Sequence, residues 1–191
     1  WEKRERTKLL PARVNQRLQL SEVTLAEAFQ SASYKTFFAG KWHCGDAPYW
    51  PQWQGFEINK GGWTRGGPYG GDKYFSPYGN PMLADGPKGE HLPDRLATET
   101  VQFIERCAEK PFFAFLSFYS VHSPLMSRPD LEKKYLEKRT KLGLETAWDE
   151  EATVWDMDTA VTRRTQDHAV YAGMIEGMDL AVGKVLSALD S

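Results

Sequence analysis

Three side chains of this 191-residue chain, Lys41, His43 and His122, stand where chemistry could be done. Each follows a β-prone run. Tyr34 to Ala39 (YKTFFA) closes at Gly40 and continues as Lys41-Trp42-His43, while the apolar run from Phe112 to Val121 ends at His122-Ser123-Pro124. A lysine and two histidines supply positive charge and hydrogen-bond donors, which suits an anionic group such as sulfate, phosphate or carboxylate. Each histidine could also carry a proton near neutral pH. In α/β sheets ligands collect at the carboxyl ends of strands, so parallel strands here would bring the three residues to one edge. Taken singly, a lysine after a strand is an ordinary solvated loop residue, and a histidine before Ser-Pro can serve only a turn. Their recurrence at the ends of two similar units singles them out.

The elements that must position them follow from the hydrophobic pattern. Residues 1–20 are basic and irregular, broken by Pro11, and read as a lead-in segment. Ser21 or Thr24 offers an N-cap to a helix carrying Leu25, Ala28 and Phe29 at helical spacing. The stretch 45–92 holds 11 of the 16 glycines and 6 of the 11 prolines, with nine aromatic residues from Tyr49 to Tyr78. It keeps neither a helical nor a strand period, and its aromatics predict a packed excursion with room for two short strands. Pro93 opens a second helix, with Ala97, Val101, Ile104 and Ala108 along one face. The continuous apolar run after Pro111 reads as a central strand buried on both faces. Residues 129–139 predict a short charged helix, 141–161 form an acidic stretch without clear period, and Thr165 to Leu189 predicts the last helix. Its apolar stripe is Tyr171, Met174, Ile175, Met178, Val182, Val185, Leu186 and Leu189. Helices alternating with apolar strands make an α/β architecture with a largely parallel sheet.

Composition narrows the partners. Twenty-four basic residues against 26 acidic ones leave a net charge of −2, so no global field points to nucleic acid or anionic lipid. The longest apolar run is about half a membrane-spanning helix, so no membrane span is expected. Cys44 and Cys107 stand outside any C-x-x-C pair and can form neither a disulfide scaffold nor a four-ligand zinc site. The chain begins at Trp1 without Met and is read as a piece of something longer.

The wording of the sequence adds to the pattern. Thr24-Leu-Ala-Glu-Ala-Phe, Tyr34-Lys-Thr and Gly40-Lys41-Trp42-His43-Cys44-Gly45 closely resemble the G-K-W-H-L-G region of the type I sulfatase family. Further stretches fit that family in the same order. They are Gln54-Gly-Phe, Tyr74-Phe-Ser-Pro-Tyr, Gly89-Glu-His-Leu-Pro-Asp-Arg-Leu, Pro111-Phe-Phe leading to Ser120-Val-His-Ser-Pro, and Tyr171-Ala-Gly-Met-Ile-Glu-Gly-Met-Asp running to Val182-Gly. The likeness spans about residues 18–190. It implies part of an alkaline-phosphatase-like three-layer α/β/α sandwich, and a single catalytic domain of which 1–191 is the middle portion. It further implies that Lys41 contacts the sulfate oxygens and that His43 holds and deprotonates a formylglycine hydrate. His122 is implied to bind the sulfate and protonate the departing alcohol. Cys44 replaces the family's usual Leu and reads as a packing residue.

Other family features are missing. No C-x-P-S-R or S-x-P-x-R motif occurs, nor the aspartate and asparagine pairs that hold the family's Ca2+, nor its second lysine. Asp156 and Asp158 have a calcium-ligand look but lack the turn glycine and closing glutamate. The implied Ca2+ ligands and formylglycine nucleophile are thus expected outside this chain, which alone should be inactive. The implied partners are a sulfated carbohydrate or small sulfate ester, and the implied location is periplasmic, secreted or lysosomal. Two other readings stand beside this one. The first is a phosphatase or phosphodiesterase of the same superfamily. The second is a carbohydrate-binding module using Trp50, Trp53, Trp63, Tyr69 and Tyr74 to stack on sugars. His91 reads as a capping or surface residue and His168 as a surface or packing one, while Arg65, Arg95 and Arg128 are further candidates to touch an anion.

Overall fold

A computed structural model describes residues 14–107, 109–151 and 160–191. Most of the lead-in segment, Ala108, Asp156 and Asp158 lie outside the described residues. Thr24 does cap the first helix, α1 (Leu25–Ser31). Its hydroxyl accepts from the Glu27 N–H at 3.1 Å, and the Glu27 carboxylate accepts from the Thr24 N–H at 2.7 Å. Together they satisfy two of the donors that a helix start leaves unpaired. The chain then forms β1 (Lys35–Gly40), crosses the excursion to β2 (Ile58–Lys60), and continues through α2 (Leu92–Arg106), β3 (Phe112–Ser117) and α3 (Pro129–Lys141). It ends with β4 (Trp148–Glu151), β5 (Ala160–Arg163) and α4 (Ala169–Leu189).

β1, β2 and β3 make one parallel sheet in the order β2-β1-β3, with Phe37 opposite Ala114 and Gly40 opposite Ser117. Alternate residues of β1 point to opposite faces, and each face has its own aromatic cover. Phe37 stacks on Phe103 of α2 at 4.6 Å, whereas Phe38 packs against Phe56 and Phe115. On the Phe38 side, Phe29 of α1 stacks on Phe113 at 4.7 Å. Helices therefore lie on both faces of the sheet, and α4 packs behind α2 and against α3.

Among the described strands β1 lies in the middle, and the run after Pro111 flanks it. Five of β1's six residues are buried, while β3 is only half-buried and Phe115 keeps 47% of its surface. Among the described residues β3 pairs with β1 alone, and it stops at Ser117 well short of Val121. The acidic stretch resolves into the antiparallel pair β4–β5, with Trp148 opposite Arg163. The last helix begins at Ala169, four residues later than the pattern predicts, because His168 caps it by accepting from the Tyr171 N–H at 3.3 Å.

The apolar stripe predicted for α4 is largely on the outside. Tyr171, Ile175, Val182, Leu186 and Leu189 are exposed, and the buried face is Ala169, Gly173, Met174, Gly177 and Ala181. Small residues there allow close helix contact. A Cβ on Gly173 would come within 2.2 Å of the Ser127 hydroxyl, and one on Gly177 within 3.0 Å of the His91 ring. The excursion folds down as expected, burying Gln54, Tyr74, Tyr78 and Leu83, though β2 is its one named strand among the described residues.

Candidate functional site

Lys41, His43 and His122 all emerge at the carboxyl edge of the parallel sheet. The β1–β3 register ends at Gly40 opposite Ser117, and the Lys41 N–H donates to the Ser117 carbonyl at 2.7 Å. That approach needs glycine at position 40. Its φ is +110°, and a Cβ would sit 1.7 Å from the Ser117 oxygen. The half-buried Lys41 side chain forms no ion pair with any described carboxylate.

Two residues on, His43 adopts φ 57°, a left-handed conformation that costs a non-glycine residue about 1–2 kcal/mol. Its N–H donates to the Trp63 carbonyl at 3.3 Å, and its exposed ring lies against Gly66, where a Cβ would approach Nδ1 to 2.2 Å. His43 also borders a cleft of about 850 Å3 shared with Arg17, Asp46, Tyr49 and Thr64.

His122 lies five positions beyond the end of β3, on a turn closed by its N–H donating to the Tyr119 carbonyl at 2.9 Å. The Tyr74 side chain, fully buried, pins that turn. Its hydroxyl donates to the carbonyls of Tyr119 at 2.9 Å and His122 at 2.8 Å. Burial pushes the Tyr74 phenol far above its ordinary range, so it remains a donor. Tyr119 in turn donates to the Gly61 carbonyl at 2.8 Å, tying the turn to the excursion. Tyr74→Phe removes a buried hydroxyl that both carbonyls share, while the Tyr119 carbonyl keeps the His122 N–H, so a loss of about 1 kcal/mol is expected, measured as a lower urea midpoint at unchanged slope.

The segment from Trp63 to Gly70 touches both histidines, through Trp63 and Gly66 at His43 and through Tyr69 at His122. No hydrogen bond among the described residues joins the three candidate side chains to one another.

The remaining candidates fall away or change role. Arg95 pairs with Glu99 at 2.6 Å and Arg128 with Asp130 at 2.7 Å, so both guanidinium groups are already occupied by carboxylates. Arg65 lies over the Trp63 ring, 5.1 Å from its centre. His91 is not a surface residue. Although it occupies the N-cap position of α2, its buried ring packs near Phe75 and Tyr74, and neither nitrogen has a hydrogen-bond partner. Cys44 and Cys107 are free thiols, both raised in pKa by burial, which disfavours the thiolate a nucleophile needs. Among the described residues no group of three or more His, Cys, Asp or Glu side chains could hold a metal ion. The described residues therefore do not fit a Ca2+ site.

Sequence reasoning treated Tyr69 and Tyr74 as stacking surfaces and missed their hydroxyls. Their partners lie 53 and 48 positions away, so no local period reports them.

The sequence profile of the sulfatase family matches residues 5–191. The chain belongs to the sulfatase family. It is 37% identical over 114 residues to a sulfatase of Formosa agariphila, covering 58% of this chain and 16% of that protein. With human steryl-sulfatase it shares 30% over 101 residues, 53% of this chain and 12% of that one. The solved structure of Ps i-CgsB superposes with a TM-score of 0.65 at 22% identity, covering 95% of this chain and 39% of the other. The same protein in complex with k-i-k-neocarrahexaose gives 0.63. The fold is thus the alkaline-phosphatase-like α/β fold of the sulfatases. This chain spans well under half the length of each of these relatives. None of its described helices is long and apolar enough to cross a membrane.

Proposed function

We propose that this chain is the middle portion of one sulfatase catalytic domain and that Lys41, His43 and His122 act on the sulfate group of a sulfate ester. What carries this reading is the register of β1 and β3. It sets Lys41 beside the end of the strand that leads to His122, and one loop touches both histidines.

Hydrolysis of a sulfate ester builds negative charge on the sulfuryl oxygens and on the departing alcohol oxygen. A fixed ammonium offsets the first, and a proton donor the second. Lys41, unpaired with any described carboxylate, is the ammonium. His122 is the donor, and its tautomer can be assigned. Nδ1 lies 2.7 Å from the Ser123 carbonyl, which can only accept, so Nδ1 carries a proton and Nε2 is the nitrogen left for substrate. His43, exposed at the same edge, serves as proton acceptor toward the nucleophile. The nucleophile and the family's metal belong to parts of the protein outside this chain.

A sulfated carbohydrate is the favoured substrate class. The excursion presents Trp53 and Tyr69 at the surface, Tyr69 against His122, and a related fold has been solved with a carbohydrate bound. Small aryl sulfates would enter the same site. An exported or lysosomal location accords with the family. The expected result is turnover of 4-nitrophenyl sulfate by the full-length protein with Ca2+ present, and none by residues 1–191 alone. Turnover by the isolated chain would overturn the division of labour proposed here.

A further inference from the structure

We propose that Tyr69 is a positioning residue for His122, holding the imidazole through its Nε2 edge; this rests on reading His122 as the proton donor. The Tyr69 hydroxyl lies 3.3 Å from His122 Nδ1 and 3.4 Å from Nε2, and the two rings meet edge to face with centroids 5.5 Å apart. Because the Nδ1 proton is committed to the Ser123 carbonyl, the nitrogen open to the hydroxyl is Nε2. A phenol can donate to neutral Nε2 and, after rotating its O–H, accept from a protonated Nε2. One hydroxyl thereby keeps the ring oriented in both protonation states while no substrate is bound, and it yields Nε2 to the leaving oxygen when the ester enters.

The loop is built to put it there. Tyr69 is 45% exposed and would swing freely on an unconstrained segment. Gly67 removes that freedom by letting the phenol ring fold back over its own loop, where a Cβ would come within 2.5 Å of Cζ. The Tyr69 N–H donates to the Gly67 carbonyl at 2.9 Å, and the Arg65 guanidinium, lying over Trp63, donates to the Tyr69 carbonyl. The preceding residue, Gly66, makes room for the His43 ring. Adjacent glycines therefore seat the two rings on which the proposed proton transfers depend.

The test is Tyr69→Phe in the full-length protein, which keeps the ring and removes the hydroxyl. With phenyl sulfate, whose poor leaving group needs protonation, kcat is expected to fall about tenfold, a part of what a general acid supplies. With 4-nitrophenyl sulfate, whose leaving group departs as the anion, kcat should change less than about twofold, and KM for both esters should hold. Equal losses on both esters, or a higher KM at unchanged kcat, would overturn the proposal. A second readout does not depend on activity. In isotopically labelled protein, Tyr69 ring protons should show a nuclear Overhauser effect to His122 Hε1, and Tyr69→Phe should broaden or split the His122 ring signals. No such effect, or unaltered His122 signals in the variant, overturns the positioning role. Should the wild type hydrolyse neither ester, the sulfatase reading falls while these spectra still decide the positioning.

Discussion

Lys41→Ala in the full-length protein is expected to lower kcat/KM for aryl sulfates by about 10²–10³-fold, the usual loss when a fixed charge-stabilising group is removed. His122→Ala is expected to cost about 10²–10⁴-fold, with the larger losses on esters of poor leaving groups. Both effects should be chemical, not structural. Neither side chain lies in the core, and the main-chain bonds that hold them, Lys41 to Ser117 and His122 to Tyr119, survive truncation to Ala. Urea unfolding should therefore shift by no more than about 0.5 kcal/mol, as for surface positions generally. Lys41→Arg should rescue little, since a planar guanidinium does not present charge as a compact ammonium does. Activity losses below about fivefold for both alanine variants, with stability intact, would remove these residues from the chemistry.

Gly40→Ala carries the largest expected effect on folding. The alanine must adopt φ +110° and place its methyl 1.7 Å from the Ser117 oxygen. No flexible side chain can yield there, because the obstacle is the backbone of β3. The strands must part or the chain must change conformation, at about 3 kcal/mol or more when backbone and overpacking costs are combined. Gly183 in α4 provides the control, since a methyl added there would meet no neighbour within 4 Å and the residue sits in an exposed helix interior. Gly183→Ala should stabilise by roughly 0.5–1 kcal/mol. Equal unfolding midpoints for the two variants would show that the close β1–β3 approach does not set the Lys41 turn.

The parts of this molecule that obey a local rule were readable from the sequence. Thr24 caps α1 and Pro93 stands in the first turn of α2, as their types predict, and Lys41 follows β1 directly. Burial was less legible. Phe112 to Val121 is as apolar as a central strand, while within the described residues β3 pairs with β1 alone and Phe115 keeps 47% of its surface. In α4 hydrophobicity pointed the wrong way, because close packing against α2 and α3 selects glycine and alanine over bulk. The candidate site divides along the same line. Lys41, His43 and His122 are legible because they follow strand signals directly. Tyr69 and Tyr74 are not, because what matters in each is a hydroxyl whose partner belongs to another segment. His91, read as a capping or surface residue, stands at the N-cap position of α2 but is buried beside Tyr74 and Phe75.

The most direct test of the proposed sulfate chemistry is the ratio of 4-nitrophenyl sulfate to 4-nitrophenyl phosphate hydrolysis by the full-length protein with Ca2+, compared with its Lys41→Ala variant. The expected result is preference for the sulfate ester and its loss in the variant. Preference for phosphate, or sulfate turnover indifferent to Lys41, would contradict the proposed role of this site.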